Sequence, residues 1–212
     1  MVPLIFLLIS ITALILCYLG TGQNRKIMLC FFLWQCIISG FALCDVFLKH
    51  PVSFALVIAG TVALTIFALK RSATAPLNSN LLLAVHVLRI PVELVLYQLH
   101  LQGKIPISMT FKGINFDILM GISALILLLY QLFIKQKINS KLFFAWNITG
   151  IASLLFIVVL AILSSPLPIQ QFAFDQPNIA VLIFPYCLLP GCVVPMVLMA
   201  HILLLKQPRK RD

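Results

Sequence analysis

Charge is scarcest in this sequence. Only 9% of its 212 residues are Asp, Glu, Lys or Arg, against about a quarter in an average soluble domain. The acidic residues are Asp45, Glu93, Asp117, Asp175 and Asp212, five in all. So few charges cannot build a hydrated surface, which excludes a soluble globular domain, and 62% hydrophobic residues exclude a disordered chain. The carboxylates are too sparse for paired acid–base work, and no HExxH or GxSxG occurs. An enzyme is therefore not expected.

Oxidisable or metal-ligating cysteine pairs are also lacking. Cys17, Cys30, Cys36, Cys44, Cys187 and Cys192 all fall in apolar runs, and none forms CxxC. A disulfide scaffold needs loop-borne pairs and a zinc site needs close spacing, so these are read as small apolar packing residues. No metal is expected.

What the chain has instead is long hydrophobic runs and a mean hydropathy of +1.14. A membrane span takes about 20 mostly apolar residues. Seven runs qualify, at 2–20, 27–48, 52–69, 80–101, 118–134, 142–163 and 179–205. Between them stand turn and charge signals such as Lys-His-Pro at 49–51 and Ser-Ser-Pro at 164–166. The expected fold is an all-α bundle of about seven transmembrane helices forming one domain over 1–212. Met-Val-Pro-Leu gives the first run no positive n-region, so it reads as a retained helix.

The basic residues orient this bundle. Loops one, three and five and the C-tail hold eleven of the fifteen: Arg25, Lys26, Lys70, Arg71, Lys135, Lys137, Lys141, Lys206, Arg209, Lys210 and Arg211. Loops two, four and six hold Lys49, Lys104 and Lys112. The positive-inside rule then puts the N-terminus outside and the C-terminus in the cytoplasm. The net charge of +10 is mostly this topological signal. The expected partner is the lipid bilayer, with no nucleic acid.

The fourth run carries the strongest functional signal. His86, Arg89, Glu93, Tyr97 and His100 follow one another at helical steps of 3, 4, 4 and 3 residues, and so share one stripe. At a rise of about 1.5 Å per residue, Arg89 and Glu93 fall near the middle of a hydrocarbon core about 30 Å thick. Arg at that depth costs about 2.5–3.5 kcal/mol on the mildest scale. Their i, i+4 spacing predicts that the two pair with each other. Pro91 between them removes an N–H and frees the Val87 carbonyl, which predicts a kink. Ionisable groups so deep are functional by default, although such a pair can also serve packing alone.

Other polar groups lie at matching depth. His201 in run seven, Asn147 in run six and His86 are expected to form a polar layer in the inner half, with Gln35 and Gln131 as weaker members. Run seven holds Pro185, Pro190 and Pro195 around Gly191. That predicts a bent or unwound helix, which at membrane depth lines either protein or a water-filled cavity. Asn115 or Asp117 is expected to cap run five.

Several stretches resemble a family of uncharacterised bacterial integral membrane proteins. They are VLRIPVELVLY at 87–97, MTFKGINFDIL at 109–119, FPYCLLPGCVVPMVLMAH at 184–201, WNITG at 146–150 and the PN of 177–178. The resemblance implies a multi-pass protein of a bacterial inner membrane, and it brings no activity. The family pattern often has an acidic residue where Lys112 stands and a basic one where Ile114 stands, so no role is carried over for loop four.

Three function classes remain. The leading one is a carrier or channel-like protein for a small solute, an ion or protons. Its pathway residues would be Arg89, Glu93, His86, Tyr97, Asn147 and His201, with helix breaks at Pro91, Pro185, Pro190 and Pro195, and it needs no cofactor. A membrane haem protein would use bis-His ligation, pairing His86 with His201 and His50 with His100. A seven-helix receptor is the third class, although no lysine occupies the middle of run seven and no signalling domain follows.

Overall fold

The structure of the chain is a computed structural model. It describes residues 1–72, 76–134 and 139–206, and these contain helices and connecting turns but no strand. Among the described residues, seven helical stretches are long and apolar enough to cross a membrane: Val2–Gly20, Arg25–Leu43, Pro51–Ser72, Ser79–Leu101, Asp117–Ile134, Ser140–Leu163 and Leu189–Lys206. The fold is an all-helical multi-pass membrane bundle. Lys135, Lys137, Arg209, Lys210 and Arg211 of the charge argument lie outside the described residues.

Local sequence explains where the helices begin. Helices α1 (Val2–Gly20), α2 (Arg25–Leu43), α3 (Val46–Lys49) and α4 (Phe54–Ser72) follow in order. Pro3 stands in the first turn of α1, where its missing N–H has no partner to lose. Asn24 starts α2 by accepting from the Lys26 and Ile27 amides. The same device starts α5 (Ser79–Val87) through Asn78 and α8 (Ser140–Leu163) through Asn139. Between α5 and α8 come α6 (Arg89–Leu101) and α7 (Asp117–Leu129), and the last helix among the described residues is α9 (Val194–Lys206).

Two of the spans form the centre. Half of the α5–α6 stretch and 61% of the Leu189–Lys206 stretch are buried, against 22–33% in the other five. The outer spans turn apolar stripes outward. Leu4, Leu8, Ile11 and Ile15 are all exposed on α1, at steps of 4, 3 and 4 residues. A soluble bundle would carry charge there, whereas lipid accepts this face as it stands.

Two spans differ from the sequence reading. The second, expected over 27–48, ends its helix at Leu43 because Asp45 adopts a left-handed φ of 57°. The one-turn α3 follows before Pro51. The seventh, expected over 179–205, is continuously helical only from Leu189. Residues 179–188 run through a short 3-10 turn at Ala180–Leu182 and on past Pro185. Pro190 lies in a π-helical stretch, Leu189–Val193, and Pro195 in the first turn of α9. The three prolines therefore divide between an irregular segment and one helix start, instead of bending a single helix three times. Each sits where its missing N–H interrupts no regular α-helical ladder.

The apolar interior falls into two clusters. One gathers Phe6, Ile38, Val95, Leu99 and Tyr186. The other gathers Phe31, Leu83, Leu154, Met199 and Leu203. Along the central span the second cluster stops at Val85 and the first begins at Val92, with Leu88 packed against both. His86 and Arg89 occupy this gap, and Glu93 follows directly after Val92.

Candidate functional site

The central span is broken where the sequence predicts a kink. α5 ends at Val87 and α6 starts at Arg89, while Leu88 N–H bonds Val85 O in a tighter turn at 3.3 Å. Pro91 explains the position: it cannot donate to the Val87 carbonyl and its ring crowds it, so the ladder gives way one turn earlier. His86 lies on one side of this joint, with Arg89 and Glu93 on the other.

Arg89 does not pair with Glu93 as the i, i+4 spacing suggests. Its Nε lies 3.7 Å from Asp117 Oδ2 at the start of α7, and this is the ion pair among the described residues. Its Nη2 donates to the Gly150 carbonyl of α8 at 3.1 Å. The partner comes from another helix because Arg89 opens α6 beside the break. Gly121 permits the approach, since a Cβ there would collide with Ile90 and crowd Arg89 Cβ.

Asp117 and Glu93 are each held from elsewhere. Ser153 Oγ of α8 donates to Asp117 Oδ1 at 2.6 Å. Asn115 Nδ2 donates to Glu93 Oε1 and also to Met109 O, while Asn115 Oδ1 accepts from the Asp117 amide at 3.1 Å. Asn115 thus bonds the first residue of α7, close to its expected capping role, although Phe116 occupies the cap position. It also ties loop four to the central carboxylate. Phe111 brings its backbone against that carboxylate.

On the other side of the joint, the His86 and His201 rings lie against each other, tilted by 36° with centroids 3.8 Å apart. His201 Nδ1 lies 2.9 Å from Asn147 Oδ1, which makes Nδ1 the donor and Nε2 the acceptor. Trp146 contacts both rings, at 5.3 Å from His86 and 5.2 Å from His201, and its Nε1 donates to Ser123 Oγ. The expected layer of His86, Asn147 and His201 is therefore one contact group. Gln35 stands apart and donates to Cys192 Sγ, and Gln131 lies in the π-helical end of the fifth span.

At the opposite end of the stripe, Tyr97 accepts from Lys112 Nζ at 2.6 Å and packs on Phe111 at 5.2 Å. His100 shares Gln176 and the Ile105 carbonyl, which fastens loop four to the segment before run seven.

Several of these buried groups keep unused capacity. Glu93 Oε2, Arg89 Nε and Nη1, both His86 nitrogens and His201 Nε2 have no hydrogen-bond partner among the described residues. All four residues are at most 3% exposed. Such atoms are costly to leave unpaired, so a cluster of them is a place where something polar belongs.

A bis-His haem site does not fit. Two axial imidazoles must face each other across the porphyrin plane at about 2 Å from the metal on each side. His86 and His201 instead touch ring to ring, and His50 is exposed in the turn before Pro51. No step is derived through haem.

Asp117, Asn115, Ser153, Gly150 and Gly121 belong to this site without having been singled out as pathway residues by the sequence reading. Asp117 had one signal, as one of only five acids and at the threshold of an apolar run. A family model described as a domain of unknown function, DUF8737, matches residues 46–207. No curated protein and no solved structure matches the chain.

Proposed function

The chain belongs to that family, and from its own polar core we propose that it is a carrier or channel-like membrane protein for a small solute, an ion or protons. The single observation behind this reading is the run of polar groups that enters from the exposed Lys112 and half-buried Tyr97 and continues, buried, through Glu93, Asp117 and Arg89 to His86, His201 and Asn147. A bundle that needed only stability would fill this gap with apolar side chains, because a buried ion pair is seldom more stable than its hydrophobic replacement. Intramembrane ionisable groups facing a bundle interior mark pathways by default. Unpartnered nitrogens and a carboxylate oxygen in the same run give a polar solute somewhere to bind.

Flux into vesicles tests this. Purified protein in liposomes should carry at least one small ion or polar solute well above the leak of empty vesicles. His201→Phe should abolish that flux, since it keeps an aromatic ring against His86 and Trp146 but removes the nitrogens. Equal rates with and without protein, over a panel of cations, anions and small neutral solutes, would sink the reading.

In this reading the N-terminus is outside and the C-terminus cytoplasmic, in an inner membrane. Cys44 then marks the outer end of α2, where it is exposed, whereas Cys17, Cys187 and Cys192 are buried. A membrane-impermeant maleimide applied to intact cells should label Cys44 and spare those three. Labelling of Cys44 only after permeabilisation would reverse the orientation.

A further inference from the structure

We propose that the species handled at this site is the proton, taken up on Glu93 and passed to the His86–His201 pair; this rests on the carrier reading above. The donor inventory decides between the candidate species.

A metal cation needs several oxygens around it, typically six or more for the hard cations. In the cluster, Glu93 Oε2 is the carboxylate oxygen with neither a hydrogen bond nor an ion pair, against four nitrogens in the same state, namely Arg89 Nη1, both His86 nitrogens and His201 Nε2. One of those nitrogens belongs to a guanidinium, which repels cations. An anion fares no better. The fixed charges are one Arg against two carboxylates, Asp117 and Glu93, so the surplus is negative before any ligand arrives. Arg89 is also already engaged by Asp117 and Gly150.

A proton meets neither objection. It needs one oxygen or nitrogen at a time, and it removes the surplus charge when it adds to Glu93. The groups facing Glu93 are Arg89 on its own helix, Asp117 on α7 and Asn115 in loop four. Those facing the histidines are Arg89, Asn147 and Trp146. Loading forms an O–H bond at Glu93 Oε2 as an O–H bond of a hydronium ion arriving from the Tyr97–Lys112 side breaks and leaves water behind. Release breaks that bond, and the proton crosses by way of water to an imidazole nitrogen. His201 Nε2 is the acceptor there because Nδ1–H is held by Asn147. His86, with both nitrogens unpartnered, takes a proton on one and gives one up from the other.

The test uses full-length protein in liposomes with a lumenal pH dye and a valinomycin-clamped potassium potential. The proposal expects protein-dependent acidification or alkalinisation that follows the potential. The rate should stay the same when sodium is replaced by choline and chloride by gluconate. Glu93→Gln should cut it at least tenfold. Gln keeps the carbonyl acceptor for Asn115 and the side-chain volume, so an unchanged unfolding temperature separates lost transfer from lost folding. A second readout comes from Trp146 in a Trp34→Phe background. A charged imidazole quenches a neighbouring indole, so emission should fall as pH falls, and His86→Gln with His201→Gln should remove that dependence.

Sodium, potassium or chloride moving without a lumenal pH change would overturn the proton and leave the carrier reading standing. No movement of any species would overturn both. Full proton flux in Glu93→Gln would likewise overturn the assignment.

Discussion

Arg89→Leu is expected to destabilise the bundle by about 3–5 kcal/mol, and adding Asp117→Leu should return most of that loss. The single change leaves Asp117 buried, ionisable and without its cation. The double change removes both charges, and its two leucines fill volume that the pair occupied. Recovery should fall slightly short of complete, because Ser153 Oγ loses its Asp117 acceptor and Arg89 no longer reaches Gly150 O. The Ser153 hydroxyl can turn back onto its own helix, so that residual cost is small. Glu93→Leu in place of Asp117→Leu should give no such recovery, because Glu93 is tied to Asn115. Unfolding temperatures in detergent for the four proteins decide the matter. Rescue by Glu93→Leu and not by Asp117→Leu would mean that Arg89 pairs along its own helix after all. Whatever stability returns, flux should not, since the cluster has lost two of its three fixed charges.

That contrast also marks what could be read from the sequence. Span existence follows from run length and hydropathy alone, and the stripe on the fourth span follows from steps of 3 and 4 residues. Both are local properties, and both appear in the structure as seven apolar helices and a buried polar face. Partner choice is not local. Periodicity couples Arg89 to the residue one turn on, but the break at Leu88 and the close approach of α7 at Gly121 present Asp117 instead. The same limit explains the seventh span. Proline spacing shows that a ladder must fail but not whether the chain bends or leaves the helix, and residues 179–188 leave it. Asn147 and His201 were legible only as groups at equal depth. Their 2.9 Å contact depends on α8 and α9 packing against each other, which hydropathy does not specify.

Gly150 supplies the most sensitive check on that packing. A Cβ built there would overlap the His201 ring at Cε1 and Nε2 and press on Met120 Cε. Gly150→Ala should therefore behave as overpacking, costing about 1–3 kcal/mol, although alanine is the better helix former by up to about 1 kcal/mol. Gly40 in α2 is the control, because a Cβ there meets nothing within 4 Å. Gly40→Ala should be neutral or stabilising by the propensity difference alone. The clash has one easy outlet, which is displacement of His201 from Asn147 and from His86. Gly150→Ala should thus lose flux even where the protein still folds. His201→Ser in the Gly150→Ala chain removes the ring that the methyl strikes, so the unfolding temperature should rise again. Flux should stay absent, because the imidazole is gone. A Gly150→Ala protein as stable and as active as the parent would show that His201 does not sit against this glycine, and the contact group of His86, Asn147 and His201 would fall with it.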